Sequence, residues 1–316
     1  MVKSSANQEK NLVLILDGNS VLHRAYYALP DWRNRSGEAT AGVYGFLSMM
    51  LKALEELKPT HLAVVFDHPS PTFRHTMYVG YQTNREKERQ VSEDIWGQIE
   101  KLKVVLEKMG ILVYQVAGFE ADDVIGTISA QIKDKSAQVI IITGDRDLMQ
   151  LVDKRIKLYM PIKGLSDTVI VDEDKVMERM GVHPKQIIDY KALVGDSSDN
   201  YPGVAGIGPK TATALLAEYG TFEKIYEFIK ISPRTPLLNS GEGVMKKLID
   251  GYEGGELSKR LATIRTDAPV SYDSAQCTAP SPQKLTEVLQ ELGYKSLIKR
   301  MGGKADESSS RPRLFE

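Results

Sequence analysis

The sequence has little of several features that would point to other classes of protein. It has one cysteine, Cys277, among 316 residues, which excludes an internal disulfide or a cysteine-rich zinc site and favours a reducing compartment. No apolar run approaches the roughly 20 residues of a membrane-spanning helix, and the first residues contain no signal-peptide segment. A net charge of −1 excludes a surface that attracts nucleic acid everywhere. We therefore expect a soluble, cytoplasmic protein.

Short β-branched runs alternate with longer helical patterns from residue 12 to about 195, which is typical of an α/β fold with a mostly parallel sheet. Beyond this point the chain is helical with glycine-rich breaks, and its last residues are polar. Strands are predicted at Leu12–Leu16, Leu62–Phe66, Leu112–Gln115, Val139–Thr143 and Ile156–Met160. Helices are predicted at Thr40–Leu57, Ser92–Met109, Glu120–Ile132, Thr211–Tyr219, Phe222–Ile229 and Pro282–Met301. The expected division is an α/β domain over 11–195, a helical region over 196–301 and a disordered tail over 302–316.

Acidic residues follow three of the predicted strands. The runs LVLILD, LAVVFD and VIIITGD place Asp17, Asp67 and Asp145 at or just past a carboxyl end. In a parallel sheet these ends lie along one edge, where ligand sites of open α/β sheets form. Distant segments would therefore deliver acids to one place.

Six further acids extend this pattern to nine carboxylates. These six are Glu120, Asp122 and Asp123 of GFEADDV, Asp147, and Asp196 and Asp199 of GDSSD. Confined carboxylates repel one another unless a cation neutralises them, and Mg²⁺ suits oxygen ligands and phosphate best. Two such ions about 3.5–4 Å apart can drive hydrolysis of a phosphodiester. Each acid alone could instead be a helix cap or turn former, and Asp123 and Asp199 are the two most expected to have a structural role.

Two segments suggest contact with DNA. In DNYPGVAGIGPKTATALLAEYG, glycines precede a helix start at which free N–H groups and Lys210 can bind a phosphate, the pattern of a helix–hairpin–helix. The basic and aromatic connection PSPTFRHTMYVGYQTNREKERQ could line a passage for a single strand. Its candidates are Arg74, Arg85, Lys87 and Arg89 for phosphates and Tyr78 or Tyr81 for stacking on a base. The alternative for this connection is a solvated, mobile loop.

A helix after Asp17 would carry two more candidates. His23 and Arg24 could face the scissile phosphate, although a packed or solvent-facing position suits His23 nearly as well.

The motifs LILDGNSVLHRAYYAL, VVFDHPSPTFRH, GFEADDVIGT, TGDRDLMQLV and LVGDSSDNYPGVAGIGPKTA together resemble those of one family. Over about residues 11–301 the chain is similar to the 5′ nuclease domain of bacterial DNA polymerase I and to the wider flap endonuclease family. The resemblance implies a PIN-like, mostly parallel sheet flanked by helices, a helical arch at about 70–92, and a helix–three-turn–helix module. It also implies removal of RNA primers or 5′ flaps from DNA.

The resemblance implies roles for individual residues. The first metal ion would be held by Asp17, Asp67, Glu120 and Asp122, and the second by Asp123, Asp145, Asp147, Asp196 and Asp199. The catalytic set would be Asp17, Asp67, Asp122, Arg74 and Arg85, the two arginines contacting the scissile or flap phosphates. Gly206, Gly208 and Lys210 would hold the downstream duplex at the hairpin. Apart from the resemblance, we also expect DNA contacts from Arg24, Tyr81, Gln82 and Thr211. At the hairpin, relatives also bind K⁺.

The chain departs from the family pattern at two positions. Gln82 stands where the family usually carries a lysine close to the reacting phosphate, so turnover is expected to be weaker unless Lys87 substitutes. Ser197 replaces a common acidic residue, a milder change because Asp196 and Asp199 remain. The chain ends about where relatives fused to a polymerase would continue, so a stand-alone nuclease is expected.

Taken with the acid cluster, the resemblance implies a monomeric 5′-3′ exonuclease and structure-specific flap endonuclease that uses two Mg²⁺ ions, with Mn²⁺ as the alternative metal. Its substrate would be DNA with a 5′ flap, a nick or a single-stranded 5′ end, or an RNA–DNA hybrid. Two rivals are a PIN-type ribonuclease, which would not need the helix–hairpin–helix, and a noncatalytic protein that binds branched DNA.

Overall fold

A six-stranded sheet lies at the centre of the part of the chain that the structure describes. The structure is a computed structural model that describes residues 11–33, 37–83, 89–232, 237 and 242–302. The strands are β1 (Leu12–Asp17), β2 (His61–Val65), β3 (Leu112–Tyr114), β4 (Gln138–Ile142), β5 (Ile156–Lys163) and β6 (Asp167–Val171). Their order is β3-β2-β1-β4-β5-β6, and all neighbours pair in parallel except β5 and β6. The carboxyl ends of β1 to β5 therefore share one edge.

The five predicted strands are present, and the structure adds β6. It pairs antiparallel with β5 across a turn in which Gly164 has φ 60°. As an edge strand it is only partly buried, so it lacks the continuous apolar run of the central strands. This is why the sequence did not reveal it.

The helices surround the sheet and form the C-terminal region. They are α1 (Gly18–Ala28), α2 (Ala41–Leu57), α3 (Phe73–Met77), α4 (Arg89–Lys108), α5 (Ala121–Gln131), α6 (Glu173–Met180), α7 (Ile187–Val194), α8 (Pro209–Tyr219), α9 (Phe222–Ile231), α10 (Glu242–Asp250), α11 (Tyr252–Ala262), α12 (Pro282–Glu291) and α13 (Lys295–Arg300). The last predicted helix is divided in two because Gly293 adopts φ 73°, a conformation that ends a helix. No helix within the described ranges has the length and apolar character to cross a membrane.

Strand β1 shows how the sheet is buried on both faces. Val13 and Ile15 pack into a core with α5 and the helices α7 to α9, whereas Leu14 and Leu16 pack into a core with α1, α2 and α4. Successive side chains of a strand point to opposite faces, so a continuous apolar run is required when both faces are covered. The mostly parallel α/β sheet flanked by helices is therefore confirmed.

Gly18 tests how tightly α1 is held against the sheet. A Cβ at this position would lie 2.4 Å from the Phe66 ring, whereas a Cβ on Gly97 of α4 would meet no atom within 4 Å. We expect Gly18→Ala to destabilise the fold by about 1–3 kcal/mol through overpacking. Gly97→Ala should instead stabilise it by about 0.5–1 kcal/mol, because alanine favours a helix. Urea unfolding of both variants measures this, and equal effects would contradict the tight contact.

Candidate active site

An open cavity of about 1490 Å³ lies at the carboxyl edge of the sheet. Eight of the nine candidate acids line it, delivered by five separate segments of the chain. They are Asp17, Asp67, Glu120, Asp122, Asp145, Asp147, Asp196 and Asp199. The structure thus brings together acids that are up to 182 positions apart in the sequence, from Asp17 to Asp199.

Asp17 is both a helix cap and a member of the cavity wall. One carboxylate oxygen accepts a hydrogen bond from the backbone N–H of Ser20 at 3.0 Å, at the start of α1. The other accepts from the Thr143 hydroxyl, beyond the end of β4, at 2.7 Å. The side chain is buried and fixed between two strand ends. Its role as a cap therefore does not compete with its position in the acid cluster.

Asp67 and Glu120 meet at the start of α5. Asp67 accepts a hydrogen bond from the backbone N–H of Ala121 at 2.7 Å, and its own N–H donates to the Asn19 side chain at 2.8 Å. Glu120 caps the helix and accepts from the Tyr81 hydroxyl at 3.1 Å. A helix N-terminus stabilises negative charge, which helps to hold these acids in place.

Burial and mutual repulsion disfavour the charged forms of four acids. Burial, with added repulsion from neighbouring carboxylates, raises the pKa of Asp17, of Glu120 and of Asp147 to about 7 each. Burial and the charges of Asp145, Asp17, Glu120 and Asp147 raise the pKa of Asp122 well above its ordinary range. Such a cluster is stabilised when cations neutralise it.

Three acids form a smaller group, here called the three-acid group, at Asp147, Asp196 and Asp199. Each can offer one oxygen, and these atoms lie within 4.8 Å of one another. The ammonium of Lys191 on α7 bridges two of them, at 2.6 Å from Asp147 and in contact with Asp196. Burial alone would raise the pKa of Asp196, but Lys191 and Ser198 hold it below its ordinary value.

The loop that carries Asp196 and Asp199 closes on itself. Asp196 and Tyr201 exchange two backbone hydrogen bonds of 3.0 Å. The loop ends come so close that a Cβ on Gly203, where φ is 62°, would lie 2.3 Å from the nitrogen of Gly195. Only glycine fits such an approach without displacing the backbone, so these two residues fix the loop at the cavity.

Asp123 is the acid that the structure separates from the cavity. Its side chain is fully buried and pairs with the Arg74 guanidinium through two hydrogen bonds of 2.7 and 2.9 Å. It also accepts from the backbone N–H of Glu120 and of Arg265. The interpretation of Asp123 as a metal ligand is therefore wrong, because its carboxylate is fully buried against the Arg74 guanidinium and does not line the cavity.

Arg74 likewise needs a correction. Its side chain is 3% exposed, and besides Asp123 it donates to the carbonyl oxygens of Leu261 and Thr263 at 2.8 and 3.0 Å. These two carbonyls belong to the end of α11 and its cap. Arg74 lines the cavity, but it ties α3 to α5 and α11, and each of its three guanidinium nitrogens is hydrogen-bonded within the protein. The structure therefore uses this guanidinium for internal pairing, contrary to its assignment as a catalytic phosphate contact.

The segment of Tyr81 and Gln82 differs from its predicted role as well. Tyr81 is 4% exposed and donates to Glu120, so it cannot stack on a base. Gln82 has φ 55° and contacts Asp199 twice, from its backbone N–H at 3.0 Å and from its side chain at 3.2 Å. Asn200, with φ 57°, returns a side-chain hydrogen bond of 2.7 Å to the carbonyl of Gly80. This segment therefore supports the acid loop.

Arg24 and His23 line the cavity from α1. Arg24 donates to the carbonyls of Ile162 and Gly164 at the β5–β6 turn, at 3.0 and 3.2 Å. Arg85 and Lys87 lie outside the described residues, as do the central part of the expected arch at 84–88 and most of the expected tail, at 303–316. The side chain of Arg89 is also outside them. Their predicted roles stay predictions.

The predicted hairpin follows Asp196 and Asp199 in the connection between α7 and α8, and its residues Gly206, Gly208 and Lys210 do not line the acid cavity. Gly208 caps α8 and Pro209 occupies its first turn, so the helix starts earlier than predicted. Lys210 is exposed at this end, and Gly206, with φ 79°, directs its carbonyl to the ammonium of Lys247 at 3.2 Å. The arrangement leaves N–H groups at a helix start available to a phosphate.

Sequence reasoning missed four residues that shape the site. Thr143 and Asn19 orient Asp17 and Asp67, Lys191 forms ion pairs with two members of the three-acid group, and Tyr201 pairs its backbone with Asp196. Lys191 and Tyr201 each lie five residues from Asp196 in the sequence, whereas Thr143 and Asn19 contact acids of distant segments.

Two family models together cover residues 12–285. The model described as 5′-3′ exonuclease, N-terminal resolvase-like domain, matches residues 12–181. The model described as 5′-3′ exonuclease, C-terminal SAM fold, matches residues 182–285. The DNA polymerase I of Bacillus caldotenax is 38% identical over 301 residues, which are 95% of this chain and 33% of that protein. For the DNA polymerase I of Bacillus subtilis the identity is 37% over 297 residues, 93% of this chain and 32% of that protein.

Solved structures share the fold. A bacteriophage T5 flap endonuclease, in a complex with DNA and metal ions, aligns with a TM-score of 0.65 at 18% identity and covers 92% of this chain and 97% of its own. The catalytic core of Rad2 in complex with a DNA substrate aligns with a TM-score of 0.59 at 16% identity, covering 92% and 93%. The chain spans about a third of the length of the curated relatives that it matches.

The raised pKa values predict an unusual pH dependence of stability without metal. A group whose pKa is higher in the folded state binds more protons there, so stability falls as pH rises from the ordinary values of 3.8–4.5 to about 7. We expect the melting temperature of the metal-free chain to be lower at pH 8 than at pH 6. Asp122→Asn should raise it at pH 8 by about 2–4 °C or more. Calorimetry tests both, and a rise in melting temperature through this window would contradict the clustering.

The buried Arg74–Asp123 pair predicts a loss of stability when one partner is removed. Arg74→Met leaves a buried carboxylate without its cation, so we expect a loss of about 3–5 kcal/mol in the free energy of unfolding. Arg265→Met, which removes an exposed pair with Asp267, is the control and should cost less than about 1 kcal/mol. Unchanged stability of the Arg74 variant would show that this arginine is available for other contacts.

Proposed function

Because the chain belongs to the 5′-3′ exonuclease family, we propose that it hydrolyses phosphodiester bonds of DNA from the 5′ side and cuts 5′ flaps at their junction. The observation that carries this proposal is the gathering of eight acids from five segments into one cavity. Four of these acids have raised pKa values, and a divalent cation would lower those pKa values by offsetting the repulsion between the carboxylates. Such a cavity suits the binding of a phosphate through cations.

The donors present fit hard divalent ions. All are carboxylate oxygens, as Mg²⁺ and Mn²⁺ prefer, and no histidine or cysteine is needed. We propose that Asp17, Asp67, Glu120 and Asp122 hold one ion. The three-acid group, with Asp145 beside it, would hold the other. When bound, such ions activate water and stabilise the leaving oxygen of a phosphodiester.

The residues of the chain prepare this chemistry by fixing the acids. Thr143 and Ser20 hold both oxygens of Asp17, and Ala121 holds Asp67, so little reorganisation is needed when a ligand enters. Lys191 offsets part of the negative charge of the three-acid group and supplies a positive charge beside the place where a phosphate would bind. Arg24 and Arg146 add positive charge to the cavity wall.

The hairpin between α7 and α8 would hold the duplex part of the substrate. Gly206, Gly208, Lys210 and Thr211 surround the start of α8, where contacts to phosphates position DNA without reading its sequence. We also propose that this hairpin binds a K⁺ ion.

The proposal also covers further substrates, namely nicks, single-stranded 5′ ends and RNA–DNA hybrids, and a role in removing primers. It includes a monomeric state and a cytoplasmic location for the protein. The T5 and Rad2 structures support DNA as the substrate, since those proteins were seen with DNA.

A labelled 5′-flap duplex, incubated with and without Mg²⁺, tests the assignment. Mg²⁺-dependent cutting near the junction supports the proposal, and the product length reports polarity and junction recognition together. Cutting of RNA alone would identify a PIN-type ribonuclease. Binding without cutting would identify a noncatalytic binder of branched DNA.

Asp122→Asn tests the acid cavity directly. We expect it to lower the rate of flap cleavage at least about 100-fold, since even residues that only orient metal ligands are worth 10–100-fold. Glu178→Gln, which changes an exposed acid paired with Lys175, is the matched control and should cleave at the normal rate. Because Asp122→Asn is expected to be more stable at pH 8, unfolding cannot explain its loss. Equal rates for the two variants would refute the assignment.

A further inference from the structure

The acid cavity has an aromatic side that the proposed function does not use. Tyr27, near the end of α1, lines the cavity and is 62% exposed. Within the described residues, the other exposed aromatic side chains, Trp32 and Tyr252, do not line it. Aromatic rings in the wall of a binding cavity are typical contacts of a bound ligand.

The residues of α1 that line the cavity lie on one face of the helix. They are spaced three or four positions apart, at Ser20, His23, Arg24 and Tyr27. This row begins beside Asp17, which caps the helix, while the opposite face is buried in the core. An α-helix rises about 1.5 Å per residue, so Tyr27 lies about 15 Å from Asp17 along the helix axis. The wall formed by α1 therefore begins at the acids and ends at an aromatic ring.

Neighbouring residues orient the ring of Tyr27 without covering it. The ring meets that of Tyr26 in a T-shaped contact, with centroids 5.4 Å apart and planes at 88°. The Tyr26 hydroxyl in turn donates to Asp94 of α4 at 3.1 Å. Two residues after Asp94, the half-buried Trp96 lines the same cavity. The aromatic side of the cavity is therefore built from two helices that are held together.

The groups along this wall suit a strand of nucleic acid. Arg24, between the acids and Tyr27, adds positive charge to the wall. Every nucleobase has a π-face that can stack on an aromatic side chain, whatever the sequence. The tyrosines expected to stack from the sequence are less suitable, since Tyr81 is buried and Tyr78 does not line the cavity. A strand that runs along α1 from the acids would bring a base to Tyr27.

We propose that Tyr27 stacks on a nucleobase of the single-stranded 5′ part of the substrate and so positions that strand against the acids. This inference rests on the proposed function, which brings such a strand to the cavity. The base must be unpaired, because the bases of a duplex stack on one another. Since stacked DNA rises about 3.4 Å per nucleotide, the distance along α1 places this base within about five nucleotides of the cut.

The test removes the ring and the base separately. Flaps that carry an abasic nucleotide, at one position at a time near the cut, are compared with the intact flap in cleavage by the whole chain with Mg²⁺. We expect Tyr27→Ala to lower kcat/KM on the intact flap about 10-fold, a loss typical of one stacked base, and Tyr27→Phe to match the wild type. At one abasic position the wild type should lose a similar factor, and Tyr27→Ala should lose no more.

Tyr252→Ala is the matched control, because it removes another exposed tyrosine ring that lies outside the acid cavity. It should match the wild type on every flap, and thermal melting shows that each variant is folded. Binding of the same flaps to Asp122→Asn chains with and without Tyr27→Ala, followed by fluorescence anisotropy, repeats the comparison without dependence on cleavage.

The outcomes separate stacking from a structural role of Tyr27. A structural defect would lower cleavage of all flaps by one factor, whereas stacking makes the loss depend on one base. Equal kcat/KM for wild type and Tyr27→Ala on the intact flap, or an equal loss on every abasic flap, would overturn the stacking contact and leave the nuclease assignment intact. A wild type that neither cuts nor binds the flap would contradict the proposed function and this inference with it.

Discussion

Repulsion between carboxylates held at one edge of a parallel sheet is the interaction on which the rest of the structure depends. Asp17, Asp67 and Glu120 are fixed by the ends of β1 and β2 and by the start of α5, and the apolar strands beneath them are buried on both faces. The stability of those cores holds the acids together against their charge. The same charge makes the cavity selective for cations, so the fold and the proposed chemistry have one origin.

The metal-free chain limits this repulsion with its own donors. Thr143 donates to Asp17, Lys191 bridges the three-acid group, and Arg74 takes Asp123 out of the cavity altogether. These contacts divide the acids into two kinds. Those that line the cavity can be reached by a ligand, whereas Asp123 is buried in the scaffold.

Much of the fold and of the acid cluster could be predicted from the sequence, because local sequence patterns indicate the strands and the parallel sheet then fixes where the strand ends lie. Apolar runs indicate strands, parallel strands share an edge, and an acid after a strand must lie at that edge. No comparable rule predicts which way a side chain points in a segment that connects a strand to a helix. A basic and aromatic segment is equally compatible with a DNA contact and with internal pairing, which is why Arg74 and Tyr81 were assigned to DNA although the structure buries both. Thr143 and Asn19 acquire their roles only from acids that folding brings near.

The reciprocal contacts between residues 80–82 and 199–200 have a mechanical consequence. Gln82 holds Asp199 and Asn200 holds Gly80, each through a residue in a left-handed conformation that leaves little freedom to adjust. The two pieces are therefore coupled. A displacement of residues 80–82 is transmitted to the Asp199 carboxylate, and a displacement of that carboxylate is transmitted back to residues 80–82.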